Sequence, residues 1–213
     1  MKKIFVILLA AIMLLSFVAC SGNGGKPVQL SPTEMAFKAA SEAYGFIDNA
    51  YQLTEQFGSD VYEAWRIGIY DSDEASISYL AKKLNLTESE ISAAIESLLG
   101  EGIDDFYFTY YEKNGSLFSA CVWLVSEAYN LNGKTKEIED GLATAKELMK
   151  DMSAKYSDYE HYPNLKGYYT TTSAFFEFCK DPTGSFEQVK NTINDYRNNA
   201  RNYRNELAYI FDD

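Results

Sequence analysis

Histidine is almost missing from this sequence: His161 is the only one in 213 residues. A Ser-His-Asp triad or a histidine-based metal site would have to be built around that one side chain, and no G-x-S-x-G nucleophile motif accompanies it. Asp158 and His161 have the spacing of half a di-iron bundle motif, but such a site needs two of these motifs and further glutamates. Pro163 is read as ending any helix there, so a solvated loop histidine is expected. Cysteine is scarce as well, with three residues. Apart from Cys20, only Cys121 ("FSACVWLV") and Cys179 ("FFEFCK") remain, too few for a disulfide scaffold. Buried free thiols are the favoured reading and one bridge is the alternative. Basic residues are outnumbered, 19 against 31 acidic, for a formal net charge of −12. An exterior so acidic repels nucleic acid and anionic lipid headgroups alike.

Motifs that hold phosphate or metal are missing too. No glycine-rich loop of the phosphate-cradling kind occurs. "DSDEAS", Asp71 to Ser76, begins like a calcium loop. It has Ser76 where glycine is required and Lys82 where the bidentate acid is required, so it fails. Asp104 and Asp105 are neighbours that point apart on a helix and make no acid-base pair. The expectation is therefore no catalytic residue, no metal and no cofactor.

Aromatics, by contrast, are plentiful. Tyr 17, Phe 13 and Trp 2 rule out a disordered stalk. At the start, "MKKIFVILLAAIMLLSFVAC" has basic Lys2 and Lys3 and then an apolar run from Ile4 to Val18. That run suits a signal-peptide h-region and falls short of the roughly 20 residues of a membrane span. The stretch "FVAC", Phe17 to Cys20, resembles the lipobox of bacterial lipoproteins, with Phe17 where the family usually has Leu. The resemblance covers only these first residues. It implies that residues 1–19 are a signal peptide and that Cys20 is lipidated and becomes the mature N-terminus. The protein would then be held by its N-terminal lipid on the extracytoplasmic face of the cell membrane. Without residues 1–19, 17 basic side chains face 31 acidic ones, a charge of −14. "SGNGGKPVQL", Ser21 to Leu30, reads as a flexible linker spanning roughly 17 Å r.m.s., so residues 20–30 form the tether and 31–213 a single domain.

The domain reads as helices. Ser31 with Glu34 forms a capping box, with Pro32 at the first helical position. Small and apolar residues then alternate at 3-4 spacing from Ala36 to Gly68, a helix carried to about Tyr70, with an interruption at Gly58 and Ser59 as the alternative. A second long helix over Thr135 to Tyr156 buries Ile138, Leu142, Ala145, Met149, Met152 and Tyr156. A shorter one runs from Asn164 to Lys180 and is stopped by Asp181-Pro182. Ser185 and Gln188 cap a last helix whose stripe runs Phe186, Val189, Ile193, Tyr196, Ala200, Tyr203, Leu207 and Ile210. Residues 103–131 are read as helix, with a hairpin at Asn114-Gly115 as the alternative. Helices with single apolar stripes and short connections bury those stripes against one another. The predicted fold is an all-α antiparallel bundle of long helices, with a short helical pair (Ala75 to Leu84, Glu88 to Leu99) inserted as a cap.

That short pair resembles a helix-turn-helix in its apolar spacing, Leu80, Leu84, Leu86, Ile91, Ile95 and Leu98. A recognition helix carries Arg, Lys, Asn or Gln to base edges. Here the polar residues are Glu88, Ser89, Glu90, Ser92, Glu96 and Ser97, and no nucleic-acid partner is expected. Two features remain as candidate binding surfaces. Lys190, Arg197, Arg201 and Arg204 share a side of the last helix. They are read as a solvated face whose arginines pair with the chain's excess acids, the alternative being a docking face for an acidic partner. The helix from Asn164 has a seam (Leu165, Tyr169, Thr172, Phe176, Cys179) and a second stripe, Tyr168, Thr171, Phe175 and Phe178, with Tyr159 and Tyr162 just before it. Either another helix covers that stripe, or it lines an aromatic groove for a ligand or partner.

The functional expectation is a lipid-anchored, extracytoplasmic, non-catalytic bundle that binds a protein partner, a wall component or a small ligand. The alternative is an enzyme acting on wall or carbohydrate substrates with acidic residues in an aromatic cleft. An exported phage-blocking or immunity factor fits the anchor as well and leaves no residue signature.

Overall fold

The computed structural model describes residues 30–70, 78, 79, 81, 82, 85, 87–90 and 117–212. Through them run α1 (Pro32–Tyr70), α2 (Leu117–Leu131), α3 (Lys134–Lys155), α4 (Tyr162–Lys180) and α5 (Phe186–Phe211). The chain is an all-α helical bundle, and no strand occurs among the described residues. Residues 117–131 are helix rather than hairpin; 103–116 lie outside the described residues, as do Cys20, the calcium-like stretch 71–76 and most of the short pair.

Helix starts follow the local chemistry. The Ser31 N–H donates to Glu34 Oε2 at 2.7 Å and the Glu34 N–H to Ser31 Oγ at 3.3 Å. Ser185 and Gln188 make the same reciprocal pair at α5, and Thr87 and Glu90 do so at 2.7 and 3.1 Å. Each cap satisfies N–H groups that a helix start otherwise leaves unpaired, an effect of about 1 kcal/mol. Between α2 and α3 the chain turns at Gly133, whose φ of 79° is unstrained only for a residue without Cβ. The reading of Pro163 as a helix stop is corrected. It lies in the first turn of α4, where a missing N–H costs nothing.

The first helix runs to Tyr70 as read and is continuous for 39 residues, without the alternative interruption at Gly58. Gly58 is there for a neighbour: a Cβ on it would lie 2.6 Å from the Phe175 ring of α4. Contacts along α1 set the directions of the other helices. Against α5, Tyr44 meets Asp212 and Ser59 meets Arg197, so the two run antiparallel. Against α3, Asn49 faces Glu137 and Phe46 faces Gly141, again antiparallel. Lys180 of α4 reaches Glu139 of α3, and Asn164 reaches Glu206 of α5. Thus α1, α3, α4 and α5 alternate in direction, while α1 and α4 run the same way, with Tyr44 beside Tyr168 and Gly58 beside Phe175. Helix α2 adds Tyr129, stacked on Phe57 at 4.3 Å.

The core joins the stripes read from the sequence: Ala40, Ala43, Ile47 and Ala50 of α1, Ile138, Leu142, Met149 and Met152 of α3, and Val189, Ile193, Ala200 and Leu207 of α5. Small residues on α1 let α3 come close, with a Cβ on Gly141 reaching 3.8 Å from Ala50 Cβ. From the short pair, Tyr79 and Ala81 join the same core.

Candidate functional site

The arginine side of α5 faces α1. Arg204 donates to Asp48 at 2.6 Å, Arg201 pairs with Glu55, and Arg197 Nε lies 3.1 Å from the same Glu55. A further Arg197 nitrogen donates to Ser59 at 2.8 Å. These arginines pair with the chain's own acids, as the first reading had it, across a seam rather than on a solvated face. Asp48 also accepts from Tyr168 at 2.8 Å and from Gln52 at 2.6 Å. Burial works against its charge. The hydrogen bonds from Arg204, Tyr168 and Gln52 outweigh burial and hold the carboxyl below the usual aspartate value. Twelve residues further along α1, buried Asp60 accepts from Tyr129 at 2.8 Å and from Tyr79 at 3.2 Å. Burial first, and then the Asp60 charge, push both tyrosine hydroxyls well above their ordinary value, so they remain donors.

The aromatic stripe of α4 divides. Tyr168 and Phe175 are fully buried, so the exposed groove expected there is not present at these two positions. Tyr51 packs on Tyr168 at 5.6 Å and Tyr196 stacks on Phe175 at 5.7 Å, so α1 and α5 cover the stripe. Phe178 is half-buried against Tyr196, and Thr171 is half-buried. Tyr159 is half-buried, its hydroxyl enclosed without a hydrogen-bond partner and its ring edge-on to His161. His161 lies in the turn before α4, as expected, where it is the N-cap residue, but its side chain is partly buried rather than solvated, 27% exposed and 3.3 Å from Glu160. Cys179 is a buried free thiol, its pKa pushed up by burial, which leaves it unreactive.

Tyr162 goes elsewhere. With Tyr169, assigned from the sequence to the seam and half-buried against the core in the fold, it lines a groove of about 430 Å³ between α3 and α4. Met149 forms part of the lining, and Lys146, Lys150 and Lys166 border it. Ser153 and Thr170 add hydroxyls, and no carboxylate lines it among the described residues. Lys150 has only a 3.7 Å contact with Glu147, both side chains more than 70% exposed; such a pair holds little. Lys146 and Lys166 have no ion pair among the described residues. Sequence reasoning missed these lysines. Lys146 and Lys150 have i, i+4 spacing, but nothing in the sequence places them across from Lys166.

A second groove of about 530 Å³ lies between α1 and α5, lined by Ser59, Tyr62, Glu63, Tyr79, Lys190 and Arg197 among others. Its main charges are committed, Arg197 to Glu55 and Ser59 and Glu63 to Arg66, while Lys190 has a looser exposed pair with Glu187. Groups already paired lose those bonds when a ligand arrives, so the α3–α4 groove is the better site. Among the described residues, no three His, Cys, Asp or Glu side chains gather to hold a metal, and no helix is long and apolar enough to cross a membrane. No family model, no curated protein and no solved structure matches the chain.

Proposed function

We propose that this protein is a lipid-anchored, extracytoplasmic helical bundle that binds a ligand or partner without transforming it. The observation that supports binding is the α3–α4 groove. It combines a tyrosine and methionine lining with ammonium and hydroxyl groups, the mixture of apolar surface and a few polar groups that recognition sites use. The anchor rests on the sequence from Phe17 to Cys20 and its resemblance to a lipobox. Metabolic labelling with a radioactive fatty acid tests it. The parent is expected to incorporate label and Cys20→Ala to incorporate none, remaining as precursor or being shed. Equal labelling of the two removes the anchor from the account.

The second reading, an enzyme using acids in an aromatic cleft, draws on the α1–α5 groove, where Glu63, Tyr62 and Tyr79 meet. Asp60 lies beside it, bound by Tyr79. Glu63 is held by Arg66 at 2.7 Å and Asp60 by two tyrosines, bonds that hold both carboxylates in place. That arrangement suits structural acids better than groups free to meet a substrate.

A further inference from the structure

We infer that the α3–α4 groove binds a small anionic sugar, a saccharide carrying a phosphate or carboxylate. This rests on the reading of the bundle as a binding protein and names the ligand class. Charge carries the first step. The chain has 31 acidic and 19 basic residues, and among the described residues carboxylates take up many of the cations: Lys136 with Asp140, Lys155 with Asp151, Lys180 with Glu139 and Glu177, and the α5 arginines with α1. Lys146 and Lys166 are without one among the described residues, and both border one groove with the weakly paired Lys150. Three ammoniums around a lining without carboxylate make a local positive site. Lysine ammoniums act as point charges that an anion meets from several directions.

The rest of the lining selects the body of the ligand. Tyr162 and Tyr169 offer flat rings, and their hydroxyls with those of Ser153 and Thr170 match a compact partner that has both apolar faces and many hydroxyls. A volume of about 430 Å³ falls in the range of small-molecule sites, roughly 300–1,000 Å³. The walls are two helices, whose backbone groups are paired internally, so no strand edge is offered for an extended peptide to join. Size also decides against polyanions. Screening confines the groove's field to about 8 Å at physiological salt. A nucleic acid or an anionic bilayer would also face the surrounding acids, whereas a ligand that fits inside the groove would not.

The test uses the full chain in non-ionic detergent, with glucose 6-phosphate, glucuronate, glucose, inorganic phosphate and a glutamate decapeptide as probes, titrated by calorimetry and ligand-observed NMR. Glucose 6-phosphate or glucuronate is expected to bind at least tenfold tighter than glucose or inorganic phosphate. Lys146→Gln/Lys166→Gln is expected to weaken that binding at least tenfold with Tm unchanged, and Tyr169→Ala to weaken it as well. Phosphate binding as tightly as the sugar phosphate overturns the saccharide assignment, and preference for the decapeptide replaces it. Absence of sugar binding, or equal binding by the double variant, overturns the site and leaves the lipid anchor standing. Phosphorus NMR of the bound sugar phosphate separates the two levels: release of inorganic phosphate contradicts the non-catalytic reading while the groove remains.

Discussion

Asp48 and Asp60 lie on one helix about 18 Å apart, and each is withdrawn from solvent by a different set of donors. Asp48 has an arginine, a tyrosine and a glutamine; Asp60 has two tyrosines. The difference has a pH consequence. Because the Asp48 carboxyl is held below its ordinary value in the fold, its contribution is full above the unfolded value, about 3.9. It is lost as pH falls through the lower folded value. Asp48→Asn is expected to lower stability at neutral pH and to flatten the decline in acid, read by urea unfolding between pH 7 and 3. Parallel curves for parent and variant contradict this. At Asp60 the expected loss comes from the donor side. Tyr129→Phe removes a buried hydrogen bond to a carboxylate, at a cost of roughly 1.5–3 kcal/mol, and the same urea titrations measure it.

At the scale of elements, the stripes on α3 and α5 were legible in the sequence because each helix has one apolar side. Ile138, Leu142, Ala145, Met149 and Met152 are buried as read, and so are Val189, Ile193, Ala200 and Leu207, while Tyr196 and Tyr203 of the same stripe are half-buried against the core. Helix α4 was not legible in that way. Tyr168 and Tyr169 are neighbours about 100° apart on the helix, equal in composition, and apolar residues continue on both sides of them. Which one is core depends on Asp48 and Arg204, which lie 120 and 36 residues away from Tyr168 in the chain, and no local pattern records that. Gly58 misled for a related reason: its role is the Phe175 ring across the interface, not the path of its own helix. The lysine groove escaped because it is assembled from two helices, neither of which has a complete site. Two predictions belong here. Ile193→Ala or Leu207→Ala should cost about 2–5 kcal/mol, whereas Arg201→Ala, whose side chain is 54% exposed, should cost less than about 1 kcal/mol; thermal melts rank them. Gly58→Val should cost about 1–3 kcal/mol by forcing Phe175 aside, and a melt unchanged from the parent would remove the close contact.

For the whole molecule, the fold and the binding surface divide the aromatic residues of α4 between them. The side carrying Tyr168 and Phe175 closes the bundle against α1 and α5. The side carrying Tyr169, with Tyr162 and Lys166, faces the groove shared with α3. The most direct measurement compares two consecutive residues. Tyr168→Ala and Tyr169→Ala are each unfolded in urea and titrated with glucose 6-phosphate. Tyr168→Ala is expected to lose about 3–5 kcal/mol, and Tyr169→Ala to lose about 1 kcal/mol or less while binding the sugar phosphate at least tenfold more weakly than the parent. If Tyr169→Ala unfolds as readily as Tyr168→Ala, or binds as the parent does, the two sides of α4 do not have the separate roles assigned to them.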